Sequence, residues 1–141
     1  MRAPQKKSLY QILDANINRA REGLRVVEEI FRFVRKNSGL TRRCKAMRHG
    51  LQGILEKTSI DTRQLEKSRD SMRDTGRSIH TQREFARGSL DDVLHANLHR
   101  VGEALRVLEE FSKLFDVAAS RKFKELRYDF YDLEKDARCS R

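Results

Sequence analysis

Two stretches of this chain are copies of one another. Residues 12–34 (ILDANINRAREGLRVVEEIFRFV) and 93–115 (VLHANLHRVGEALRVLEEFSKLF) superpose at a shift of 81 and share an Ala-Asn-x-x-Arg-x-x-Glu-x-Leu-Arg-Val-x-Glu-Glu frame. An internal repeat constrains the fold strongly, because whatever unit the first copy builds the second must build again. A long helix needs only an apolar stripe to pack. Keeping Asn16/Asn97, Arg19/Arg100, Glu22/Glu103 and Arg25/Arg106 as well asks for a shared geometry or a shared site.

Leu13, Ile17, Ala20, Leu24, Val27, Phe31 and Val34 recur at spacings of three and four, one face of a helix running to about Lys36. Leu94, Leu98, Val101, Leu105, Leu108 and Phe115 repeat that face. Ser8 with Gln11, and Ser89 with Asp92, stand where a capping box would open each helix, after a loose basic arm over residues 1–7. Asn37-Ser38-Gly39 is expected to close the first helix. A second stripe follows each first one: Leu40, Cys44, Met47, Leu51 and Ile54, then Ala119, Phe123, Leu126, Phe130 and Leu133. The shift there is 79, so the turn at Asp116 is two residues shorter than its counterpart. The expected fold is all-α: two αα-hairpins, assembled as a four-helix bundle with pseudo-two-fold symmetry. Its parts are a first repeat over about residues 8–57, a long connecting loop over about 58–88 and a second repeat over about 89–137. With 141 residues this is one domain's worth of chain.

A formal charge of +10 points to anionic partners, whether nucleic acid, an acidic protein surface or phosphorylated small molecules. A basic helical nucleic-acid-binding module is therefore the rival to any enzyme reading. Few base-stacking aromatics, and carboxylates mixed among the surface cations, weigh against it. Cys44 and Cys139 form neither metal-ligand spacing nor a disulfide framework. The N-terminus lacks an apolar signal region and no stretch approaches a membrane span, so a cytoplasmic protein is expected.

On a helical wheel Asn16 falls inside the apolar sector, within ~40° of its centre, and Arg19 lies at its border. Gly23, replaced by Ala104 in the second copy, leaves space beside them. An amide and a guanidinium there are either partners in a core network or donors to an anionic ligand. Arg19–Glu22 and Arg100–Glu103 have the spacing of local ion pairs. Arg25 and Arg106, with Glu28–Glu29 and Glu109–Glu110, fall on the exposed side as an ion network. Arg48 and Arg127 correspond on the second helices. In the connecting loop, the segment from Ser68 to Gly76 brings Asp70 and Asp74 together with turn-forming residues that suit a phosphate- or metal-binding loop. No glycine-rich phosphate loop or zinc motif is present, and His95 and His99, four apart, lack an evident third ligand.

The frame LDANINRAREGLRVVEE, the segment SRDSMRDTG, the stretch RGSLDDVLHANLHRVGEALRVLEEF and the tail FKELRYDFYDLEK together resemble the small hydroxymethylpyrimidine-phosphate kinase family, over about residues 9–135. Members of that family stand alone or are fused ahead of thiamine-phosphate synthase. The resemblance implies phosphorylation of 4-amino-5-hydroxymethyl-2-methylpyrimidine phosphate to the diphosphate, with ATP as donor and Mg²⁺, in thiamine biosynthesis. An inactive regulatory or docking domain of that pathway is the other alternative. On the kinase reading Arg19, Arg100, Glu22 and Glu103 are the catalytic candidates. Asn16, Asn97, Arg48, Arg127, Arg25 and Arg106 would hold substrate and phosphate, Asp70 and Asp74 the Mg²⁺. Gly102 departs from the larger polar residue expected before Glu103. The loop over about 58–88 would close over the nucleotide. If the pseudo-dyad runs along the bundle, both Asn/Arg sets meet in one pocket; if across, they separate. The shared pocket is the expectation, and the oligomeric state, a homodimer included, is left open.

Overall fold

Four side chains set where helices begin. Asn37, Asp61, Ser89 and Asp116 sit in extended backbone and accept the N–H of Leu40, Arg63, Asp92 and Ala119 respectively, satisfying amides that the first turn leaves free. In the computed structural model, which describes residues 1–140, they open α2 (Ser38–Glu56), α3 (Thr62–Ser68), α4 (Leu90–Ser112) and α5 (Val117–Cys139). The first helix, α1 (Ala3–Glu29), starts differently. Pro4 stands in its first turn with φ already suited to a helix, and the Gln5 side chain accepts the Arg2 N–H at 3.2 Å. The helix therefore begins five residues before Ser8, whose hydroxyl instead donates to the Pro4 carbonyl inside the first turns. Residues 3–7 are helix rather than a loose arm. No strand occurs among the described residues, and the chain is all-α.

Asn37 and Asp116, 79 residues apart, are equivalent caps of α2 and α5. The two extra residues of the first repeat thus lie before Asn37. There α1 widens into a π-helical turn, Ile30–Val34, and Lys36 takes the left-handed φ of 51° that reverses the chain. Asn37, Ser38 and Gly39 start the next helix instead of closing this one. The wider turn also rotates Val34 out of the apolar stripe, leaving it 50% exposed, with Phe33 beside it. The same excursion carries Arg35 to the far end of α5. Its guanidinium donates to the carbonyls of Ala137 and Ser140, a cation on the negative end of that helix.

The two hairpins pack antiparallel. Tyr10 meets Phe115 at one end of the α1–α4 seam, Gly23 faces Val101 at its middle, and Arg35 pairs with Asp91 at the other end. Arg43 with Asp136 and Gly50 beside Leu126 place α2 against α5 in the same sense. The helices thus form a four-membered ring, α1–α2–α5–α4, and the pseudo-dyad crosses the bundle. Both stripes on each repeat meet in one core whose largest fully buried side chains are Phe31, Phe123 and Phe130. Gly23 matters at the seam: a Cβ there would lie 2.7 Å from Val101 Cγ2 and 3.3 Å from the Asn97 carbonyl. It makes room for α4, not for a ligand. Cys44 is fully buried, and burial first, then Glu28, pushes its thiol up to about 12, so it is inert.

The connecting region is only partly loop. Leu65 of α3 is buried against α1, and Ser68 is tucked beneath it, so residues 60–68 belong to the bundle. From Arg69 to Gly88 nearly every residue is exposed, with one short 3₁₀ turn at Gln82–Phe85. No helix of the described chain is long and apolar enough to cross a membrane.

Candidate functional site

The outer face of the N-terminal half of α1 is roofed by the segment that follows α3. One side chain holds the roof in place. Arg69 donates from Nε to Asp14 Oδ2 at 2.8 Å and from Nη2 to Oδ1 at 2.9 Å, a bidentate pair on a carboxylate that is only 7% exposed. That carboxylate, through its hydrogen bond first and its charge second, pushes the Arg69 guanidinium further up. Asn18 donates to the same carboxylate at 3.4 Å. Beyond Arg69 the chain turns twice, Asp70 accepting the Arg73 N–H and Asp74 that of Gly76.

Between roof and helix lies a cavity of about 800 Å³. Its charged lining is Lys7, Arg19, Arg69 and Arg73 against Asp14, Asp70 and Asp74. Asn16 and Arg19 reach it from α1. The Asn16 amide donates back to the Ile12 carbonyl at 2.8 Å, and its Oδ1 accepts from Arg19 Nη1 at 3.3 Å, so Asn16 aims Arg19. With Arg69 committed to Asp14, Lys7 and Arg19 form no ion pair among the described residues, and Arg73 only a loose one with Asp70 at 3.8 Å. Such a lining suits a phosphorylated ligand. No group of three or more His, Cys, Asp or Glu side chains able to hold a metal forms among the described residues. With Asp14 committed to Arg69, Asp70 and Asp74 are the lining carboxylates that would be left to hold a divalent ion alongside phosphate oxygens.

The second Asn/Arg set lies elsewhere. Asn97 makes the same backward bond as Asn16, to the Val93 carbonyl at 2.8 Å, but neither Asn97 nor Arg100 lines the cavity. Because α1 and α4 run antiparallel, the expected pocket built from both sets is not formed. Glu22 and Glu103 are exposed, and the local pairs Arg19–Glu22 and Arg100–Glu103 do not occur. The acids that matter inside are their neighbours. Glu28 is 2% exposed and takes Arg48 at 2.7 Å; Glu109 is 4% exposed and takes Arg127 at 2.6 Å. Both fall on the exposed side of an ideal wheel, whereas in the structure each helix turns this residue towards its own hairpin partner. Arg48 and Arg127 are therefore structural: each neutralises a buried carboxylate and stands outside the cavity. Burial favours the protonated form of Glu109, but hydrogen bonds and charge from Arg127, with Arg106, hold it below the usual carboxylate range. Arg25 and Arg106 lie on the surface, bridging Glu28–Glu29 and Glu109–Glu110 as an ion network, and neither lines the cavity where a phosphate-binding role was expected of them. His99 approaches Arg138 at 3.5 Å instead of joining His95 on a metal. Gly102 faces Phe130, whose ring would lie 3.3 Å from an added Cβ.

Asp14, Lys7, Arg69 and Arg73 are the cavity residues that reading the sequence left without a role. The segment SRDSMRDTG contained a signal for two of them, since its arginines alternate with the aspartates already singled out.

Comparison with known proteins bears on the whole chain. The ThiD2 family description matches residues 11–136. Thiamine-phosphate synthase of Nostoc punctiforme is 43% identical over 128 residues, 91% of this chain and 35% of that protein. The protein of the same name from Thermosynechococcus vestitus is 43% identical over 133 residues, 94% of this chain and 36% of its own length. That of Rhodopirellula baltica is 38% identical over 127 residues, covering 90% and 33%. The chain spans about a third of the length of these curated relatives. No solved structure matches it. With a match running through both repeats and the roof between them, the chain belongs to the ThiD2 family.

Proposed function

We propose that the chain is an ATP-dependent kinase in thiamine biosynthesis, converting 4-amino-5-hydroxymethyl-2-methylpyrimidine phosphate to the diphosphate in the cavity between α1 and its roof. The relatives' name supports the pathway, and the family supports a unit distinct from the rest of those longer proteins. One observation carries the reaction type. Lys7, Arg19 and Arg73 converge on a cavity that also presents Asp70 and Asp74.

In this reaction an oxygen of the acceptor phosphate forms a bond to the γ-phosphorus while the bond to the β-bridging oxygen breaks, releasing ADP. An acceptor phosphate is already largely deprotonated near neutral pH, its second pKa being about 6, so no general base is required. What the site must supply is position and positive charge for four phosphates. Arg19, aimed by Asn16, and Arg73, on the roof, would grip phosphate oxygens from opposite sides. Bound Mg²⁺ would offset charge on the nucleotide phosphates, and Asp70 and Asp74 would be the side chains to hold it. Glu22 and Glu103, exposed and away from any partner, are left without an acid–base task. Closure of residues 69–88 over the nucleotide would exclude water as a competing acceptor.

Incubation of the purified chain with ATP, Mg²⁺ and the pyrimidine monophosphate should yield the pyrimidine diphosphate and ADP in equal amounts. No diphosphate, under conditions where a control kinase forms it, overturns the proposal.

A further inference from the structure

A second concavity is more uniformly basic than the cavity under the roof. Where α1 passes into α2, a groove of about 620 Å³ is lined by Arg32, Phe33, Lys36, Thr41, Arg42 and Lys45. It contains four cations and no carboxylate, and none of the four takes part in an ion pair among the described residues. Several other surface cations of this chain are matched with acids, as in Arg25–Glu29, Arg43–Asp136 and Lys113–Glu110. Holding four like charges around one concavity costs energy unless an anion joins them.

The second repeat shows what creates the groove. Lys113, the counterpart of Arg32, is paired with Glu110 at 2.8 Å. Ser38, the first residue of α2, has Val117 as its counterpart, and Lys36 lies in the two-residue insertion that the second repeat lacks. The π-helical turn and the reversal at Lys36 thus add a cation and open the concavity in one copy only. Phe33 contributes a second kind of surface: the residue is 59% exposed, with the Arg32 guanidinium 4.9 Å from its ring centroid. A planar, phosphorylated ligand satisfies both features.

We propose that this groove is a second anion site that takes a nucleoside di- or triphosphate, with its phosphates on Lys36, Arg42 and Lys45 and its base against Phe33. Arg19 and Arg32 are 13 residues apart along α1, about 20 Å at 1.5 Å per residue. The groove is therefore separate from the cavity, and the inference stands whether or not the cavity is a kinase site.

Calorimetric titration with ADP and with inorganic tripolyphosphate tests it. The double variant Arg42→Glu/Lys45→Glu, altered only at exposed positions, should weaken ADP binding at the groove by at least about tenfold, since both charge-assisted contacts are lost. Phe33→Ala should weaken ADP but leave tripolyphosphate binding unchanged. Arg19→Ala should leave the groove's binding event in place, and the double variant should retain any kinase turnover. ADP binding that is the same in the double variant as in the wild type, or that is lost only in Arg19→Ala, overturns the site. ADP binding unchanged by Phe33→Ala overturns the nucleoside assignment.

Discussion

Arg69 grips Asp14 through two hydrogen bonds across 55 residues of sequence, and the roof of the cavity hangs from that grip. Removing it with Arg69→Ala should free residues 69–88 while leaving the bundle intact. Trypsin would report this directly, because Arg73, Arg77, Arg83 and Arg87 lie within the segment. Cleavage there should rise several-fold with helix content unchanged, and Arg69→Lys, which cannot make both bonds, should fall between. A wild-type cleavage rate in Arg69→Ala would show that other contacts hold the roof.

Arg19 and Arg100 occupy the same position in the repeat but not the same surroundings, which makes them a matched pair for kinetics. Arg19→Ala should lower kcat/KM for the pyrimidine phosphate by about ten- to a hundredfold, the usual effect of losing a charged phosphate contact. Arg100→Ala, outside the cavity, should stay within about twofold. Equal losses in steady-state assays would mean that both copies serve one site.

The buried pair Glu109–Arg127 should be costly to break and cheap to delete. Arg127→Ala leaves a carboxylate inside the bundle with only Arg106 to offset it, a loss of about 3 kcal/mol in urea unfolding. Glu109→Gln with Arg127→Met should recover most of that, and no recovery in the double variant would contradict the argument.

Gly23→Ala improves helix propensity by about 1 kcal/mol. It nevertheless drives a methyl to 2.7 Å from Val101 Cγ2. The clash should prevail, with a net cost of about 1–2 kcal/mol seen as a lower Tm. Adding Val101→Ala should return part of that loss, whereas a further drop of the size seen for Val101→Ala alone would mean no clash existed.

Asp116 supplies the acid-side dependence of stability. Its carboxylate accepts the Ala119 N–H at the start of α5, and the Ser59 N–H and hydroxyl at 3.0 and 2.7 Å. Those bonds, the Ala119 one first, lower its pKa to about 2 from the ordinary 3.8. A depressed carboxylate stabilises the fold above its unfolded pKa, and that contribution is lost as pH falls through the window from about 4 to 2. Asp116→Asn keeps a competent cap without the titration, so its stability should decline less across that window in chemical denaturation at stepped pH.

Much of this structure was legible in the chain. The apolar stripes of all four long helices lie in the core apart from Val34, and the shift from 81 to 79 located the place where the repeats differ in length. Comparing the copies was less reliable for the site. It selects residues kept twice, and Glu28 and Glu109 were kept to neutralise Arg48 and Arg127 inside each hairpin. Asp14 was passed over because its counterpart is His95, yet it anchors the roof. The wheel likewise assumes 100° per residue throughout, so it could not foresee a π-helical turn that moves Val34 outward. Antiparallel docking was invisible for a plainer reason: the same stripes bury equally well along a parallel or a crossing dyad.

The buried ion pairs bear on how the chain reaches this state. Glu28 and Arg48 are 20 residues apart and Glu109 and Arg127 only 18, each pair within one hairpin. Each hairpin can thus neutralise its own interior charge before it meets the other. The late step is then the closure of two apolar faces over the Gly23 seam, with no buried ion pair left to form. Arg35–Asp91 and Arg43–Asp136, which do join the two hairpins, each involve an exposed carboxylate at the margin. Low contact order of this kind favours rapid assembly, with the barrier set by fit at the seam.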